Sequence, residues 1–185
     1  MKVKGTAVRV LPEYIKKKYP TFYEQWLELL DSSSKAIFSG TIYPTSWFEI
    51  AEAHSHPTMV LSTLLNKSAE EVAFDIGMYS AETALTGIYN IFLKIASMRF
   101  TFHRIHDFFK AYYSPIIFEL WEAEDNFVKF KFGYTTKEEN LLYFRNKGWG
   151  TKLIELARPG VHPTLEVEIL PYKNDKYYAV FAAKW

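Results

Sequence analysis

Met98-Arg-Phe-Thr-Phe-His-Arg-Ile-His-Asp-Phe-Phe-Lys-Ala-Tyr-Tyr113 decides how this chain reads, because a helical half and a strand-like half meet at it. Ile105, Phe108, Phe109 and Tyr112 fall at i, i+3, i+4 and i+7, one apolar stripe at helical spacing. The spacing predicts a helix that carries two of the five histidines and feeds the first strand of a sheet. His106 lies at the edge of the stripe, with Phe102 one turn before it and Phe109 and Tyr113 one and two turns after. A histidine among aromatics can ligate a metal or a heme iron, or can sit hydrogen-bonded in a core. The residues alone leave these open.

Outward from that helix, bulk composition sets the bounds. A chain of 185 residues suits one domain, 1–185, and should bury roughly 70% of the surface its unfolded form exposes. Aromatics make up 18% of the residues, enough for a thick core and an aromatic-walled cavity besides. The net charge is +1 with no basic block, so neither nucleic acid nor an anionic membrane is an implied partner. Cysteine is absent from the sequence, which removes disulfides and thiolate chemistry. With no signal-peptide run at the start and no apolar window near the ~20 residues of a membrane span, the expected location is the cytoplasm.

Before the central helix the sequence is helical. Lys4–Val10 reads as a short extended start, and Leu11-Pro12-Glu13 opens a first helix. Thr21-Phe-Tyr-Glu24, Ser46-Trp-Phe-Glu49 and Ser68-Ala-Glu-Glu71 each place a hydroxyl three residues before a glutamate, the capping box that satisfies the free amides of a helix start. These boxes predict helices over about 22–31, 47–56 and 69–82, with Asp31–Ser34 a polar loop and residues 84–96 helical. Gly77 sits mid-helix, which favours either a tight helix crossing or a ligand passing close to bare backbone.

After Ser114-Pro115 the pattern turns to strands. Ile116–Trp121 and Phe127–Phe132 are strand-like, the second alternating apolar residues with lysine. Gly148-Trp-Gly150 reads as punctuation before a short helix over Thr151–Ala157, and residues 137–146 fit no single class. Leu165–Ile169 alternates, Lys173-Asn-Asp175 is a turn, and Tyr177–Trp185 is a last strand. The class is therefore α+β, an N-terminal helical region packed on a C-terminal four-stranded antiparallel sheet.

Few residues ask for chemistry. His103, His106 and Asp107 are the one metal-like cluster, two histidines at i, i+3 without the further ligands a closed zinc site wants. His54 and His56 read as closing the third helix, where a dipolar group is at home. There is no nucleophile elbow and no phosphate-cradling glycine loop. The carboxylates Glu122, Glu124 and Asp125 fall in a turn, so a non-enzymatic protein is expected.

The order of elements resembles the heme–nitric oxide/oxygen-binding (H-NOX) sensor domains, and still more an uncharacterised bacterial family allied to them. The resemblance rests on Lys4-Gly5-Thr6, on Glu71–Ser80 with Gly77, and on Arg104-Ile-His106-Asp107 through Pro115. Tyr43-Pro44 with Trp47, Gly148-Trp149 and Lys184-Trp185 look like the allied family. It implies an H-NOX-like fold and makes His106 the ligand of a heme iron, with Gly77, Phe102, Phe109 and Tyr113 about the cofactor. The heme domains also grip the propionates with Tyr-x-Ser-x-Arg. Here one register gives Gly133, Thr135 and Lys137, and the next gives Tyr134, Thr136 and Glu138, so the clamp is degraded in either. If heme binds, Lys137 or Tyr134 would touch a propionate. The resemblance thus implies a sensor for a diatomic gas or small apolar ligand, read by a signalling protein or a second subunit. Its alternative is a heme-free module of the same fold that carries an apolar molecule or dimerises.

Overall fold

The computed structural model describes residues 1–85, 97–134, 137–173 and 176–185, and their side chains except those of 105, 106, 134, 137, 138, 172, 173 and 176. Expectations on 86–96, on Thr135 and Thr136, and on the 174–175 turn lie outside these residues.

Strand β1 (Lys2–Lys4) runs between β2 (Trp47–Glu49) and β3 (Tyr113–Ser114), with Val3 opposite both Phe48 and Tyr113. This small antiparallel sheet corrects two expectations. The extended start stops at Lys4, and Gly5–Val8 form helix α1 before α2 (Val10–Lys18). The 47–56 helix is also displaced, because Trp47 to Glu49 pair with β1 and the capping pattern at Ser46 loses to strand pairing. A π turn over Ala51–Ser55 then leads into α5 (His56–Leu65), so His54 lies in the turn ahead of that helix and His56 is its first residue, and neither closes a helix.

Between these elements, α3 (Tyr23–Leu29) follows a 3-10 turn at Pro20–Phe22 that absorbs Thr21, and no side-chain cap forms there. Asp31 accepts the Ser34 amide at 2.8 Å and starts α4 (Ser32–Ser39), where a loop was expected. Only the third box closes as read: Ser68 accepts from the Glu71 amide at 3.1 Å, and Glu71 from the Ser68 amide at 3.2 Å. It opens α6 (Ala69–Leu85).

Helix α7 (Met98–Tyr112) is capped by the Ser97 hydroxyl, which accepts from Phe100 N–H at 3.2 Å. Its most buried described residues are Met98, Phe102 and Phe109, while Phe108 and Tyr112 are half-buried, so the stripe is turned from the one the spacing gives. The four-stranded sheet is antiparallel in the order β4 (Ile117–Ala123), β5 (Phe127–Tyr134), β7 (Lys176–Lys184), β6 (Thr164–Lys173). Val128, Phe130 and Phe132 of β5 turn inward and the intervening lysines do not, as the alternation requires. Phe130 stacks on Phe181 of β7 at 4.9 Å, directly across the ladder.

Helix α8 (Leu141–Ala157) is the largest correction. Gly148-Trp-Gly150 does not punctuate; it lies inside a continuous helix that packs between α6 and the sheet. A Cβ on Gly77 would overlap the carbonyl oxygen of Arg145, and one on Gly148 would overlap that of Phe74. The two helices thus cross backbone to backbone at reciprocal glycines, which is what glycine in a helix interior permits and larger residues forbid. Gly77→Ala and Gly148→Ala should each lower stability by about 2–3 kcal/mol in urea unfolding, with Ser39→Ala on the exposed face of α4 as the control. Midpoints unchanged from the wild type would contradict the crossing.

Candidate functional site

The crossing sets two α8 side chains one turn apart, Arg145 and Trp149, against the end of α7. Trp149 packs on Phe108 with ring centroids 4.9 Å apart and planes tilted by 35°, and Phe108 packs on Tyr112 at 4.6 Å with a tilt of 37°. Phe109 ties this wall to the sheet through Phe132 at 5.1 Å. The wall bounds a cavity of about 230 Å³, whose other sides come from α1, α2 and α6. Thr6, Ser80, Thr83 and Asn146 supply its polar surface, and Arg9 and Glu13, 3.7 Å apart and half exposed, flank it.

Arg145 is the unusual member. Its side chain is only 5% exposed. One Nη donates to His54 Nδ1 at 3.0 Å and the other to the carbonyl of Ala7 at 3.2 Å. An arginine stays charged and has only donors to offer, so Nδ1 must be the lone-pair nitrogen and the ring proton sits on Nε2. The 3.0 Å approach of Nδ1 to the Ala53 carbonyl is then a contact between two acceptors. Nε2 is buried with no hydrogen-bond partner among the described residues. Burial first, and the neighbouring guanidinium second, push the His54 pKa well below its ordinary value, so the ring is neutral. Burial also lowers Arg145, an effect the nearby Tyr113 offsets, while Tyr113 is itself raised by burial.

Carboxylates do not balance Arg145 among the described residues. Glu139, 2% exposed, accepts instead from the Met1 amino group at 2.6 Å. Among the described residues, the buried positive charge of the chamber is therefore held by neutral acceptors alone.

Of the residues the sequence singles out, Phe109 and Tyr113 line this cavity. Phe102 lies in the core with its ring centroid 5.9 Å from that of Trp185, and Gly77 faces α8 backbone rather than open space. His106 belongs to α7, Tyr134 ends β5 and Lys137 begins a 3-10 turn, but their side chains lie outside the described set. His103 and Asp107 are exposed, and among the described residues no three metal-ligating side chains converge. Arg145, His54, Trp149 and Ser80 are the members that sequence reading missed. Reading 141–157 as one helix would have found Arg145, since Leu142, Trp149 and Leu153 then place it on a buried face.

Ligand sites for drug-sized molecules run roughly 300–1,000 Å³, against about 230 Å³ here.

His54 generates a pH signature. Unfolded, its ring titrates near 6.5; folded, it does so well below. Below 6.5 the unfolded chain binds a proton that the folded chain refuses, so this contribution to stability is intact above that value and lost as pH falls beneath it. His54→Gln keeps an acceptor for Arg145 and should remove up to about 1.4 kcal/mol per pH unit of the wild-type slope on the acid side. Parallel stability–pH curves for the two proteins would contradict a buried neutral His54.

Comparison with known proteins gives one kind of match. No protein-family model and no curated protein matches the chain. Among solved structures, the unliganded Fe(II) H-NOX protein of K. algicida is 13% identical, covering 98% of this chain and 95% of that one with a TM-score of 0.70. A point mutant of T. Tengcongensis H-NOX is 15% identical over 98% and 96%, with a TM-score of 0.61. An oxygen-binding H-NOX domain related to soluble guanylate cyclases, in its oxygen complex, is 15% identical over 98% and 94%, with a TM-score of 0.60. At such identities the likeness is one of fold, and it spans nearly the whole chain.

Proposed function

We propose that this chain, which has the H-NOX fold, is a non-enzymatic sensing domain formed by residues 1–185, and that its ligand site is the cavity between α7, α8 and the N-terminal helices. The observation that carries the reading is the aromatic chamber at the α7–α8 junction, with a buried cation set into it. Its volume favours a small molecule over a porphyrin, which is the heme-free form of the sensor. Heme held through His106 is the competing occupant, and the likeness in fold to an oxygen-binding H-NOX domain supports it.

Ligand coupling would run through α8. Trp149 meets the chamber, and Leu153 and Ile154, one turn on, are buried in the core that covers the sheet. An occupant that binds one setting of α8 more tightly than another shifts the population toward it, and only that difference in affinity can be transmitted. The reader would be a signalling protein or a second copy of the chain in the cytoplasm. No helix among the described residues is long and apolar enough to cross a membrane.

Two titrations of purified protein separate the occupants. Indole should bind and shift the Trp149 indole N–H signal in NMR spectra, while hemin should show no shift or sharpening of its Soret band beyond that of free hemin. A shifted, sharpened Soret band that reverts to that of free hemin in His106→Ala would replace this reading with the heme-binding one.

A further inference from the structure

We infer that the chamber selects a small carboxylate, a molecule with one anionic carboxyl group on a flat apolar body, and that Arg145 is the residue that receives it. The inference rests on the chamber being the ligand site, and it deepens that reading by naming the ligand's chemistry.

A guanidinium taken out of water is normally matched by a carboxylate, because an uncompensated buried charge is strongly unfavourable. Arg145 is buried and lines the cavity, yet its two hydrogen bonds go to a neutral imidazole and a backbone carbonyl. Those two contacts use only part of a fork that has five N–H donors. The buried acid that could have answered it, Glu139, is paired with the Met1 amino group. Glu13, on the cavity's rim, is half exposed and pairs with Arg9. The protein thus leaves its cavity electropositive at one buried point.

Planar bidentate recognition of a carboxylate is what the guanidinium fork does best. The remaining geometry suits the rest of such a ligand. Phe108 and Trp149 form an aromatic surface for a flat body, and the Ser80 hydroxyl, which makes no hydrogen bond within the described residues, is available to a second carboxylate oxygen. His54 is not part of the cavity lining, and its Nδ1 lone pair accepts from Arg145, so its part here is to hold the guanidinium. It is a positioning residue: it holds the guanidinium without neutralising it.

Benzoate and its neutral counterpart benzyl alcohol test this on the intact protein by calorimetry, with Trp149 followed by NMR. Benzoate should bind at least ~10-fold more tightly, the margin expected for a hydrogen bond to a charged group. Arg145→Lys should narrow that preference, and Arg145→Met, if folded, should abolish it. Because the comparison of the two ligands needs only the wild type, a variant that fails to fold does not protect the inference. Equal or tighter binding of benzyl alcohol overturns the carboxylate assignment and leaves the chamber reading standing. Failure of both probes to bind overturns the assignment and the chamber reading together.

Discussion

Two glycines meeting across a helix pair are the constraint from which the rest of this structure follows. At Gly77 and Gly148 the α6 and α8 backbones touch, each glycine facing a carbonyl of the other helix. Side chains at either position would force the helices apart, and every residue of α8 would move with them. Arg145 is three residues before Gly148 and Trp149 one after, so the crossing fixes both ends of the chamber's polar and aromatic surfaces. The same helix then runs on into the core above the sheet, with Leu153, Ile154 and Ala157 buried. One close contact therefore positions the site and links it to the sheet.

Electrostatics divides the buried charges in an instructive way. The acid Glu139 and the base Arg145 are both nearly inaccessible, and they lie within two turns of each other in sequence, yet they do not pair. Among the described residues Arg145 is held by groups that cannot cancel its charge, and His54 is kept neutral by its burial first and by that guanidinium second. A fold maximising stability alone would have spent the charge internally, because an unmatched buried ion is a liability. Retaining it beside a cavity makes sense where something else supplies the anion.

Much of the fold was legible in the sequence for local reasons. The alternation at Val128–Phe132 reports a half-buried strand wherever the strand sits, and the four-stranded sheet followed from it. The box at Ser68 and Glu71 closes within one turn, so no distant contact can overrule it. The box at Ser46 failed because β1, more than forty residues away in sequence, offered Trp47–Glu49 a strand partner. Gly148 and Gly150 misled for a related reason. A glycine that breaks a helix and a glycine that admits a neighbouring helix look alike until the neighbour is known. That misreading hid the buried face of α8, and with it Arg145, while Phe109 and Tyr113 were found because their helix was recognised.

The direct measurement is a crystal structure of the protein grown with benzoate. The account predicts electron density for the ring against Phe108 and Trp149, with the carboxylate oxygens within hydrogen-bond distance of the Arg145 guanidinium and the α6–α8 crossing unchanged. Benzoate seated elsewhere while this chamber remains without it, or Arg145 turned onto a carboxylate of the protein's own, would contradict it.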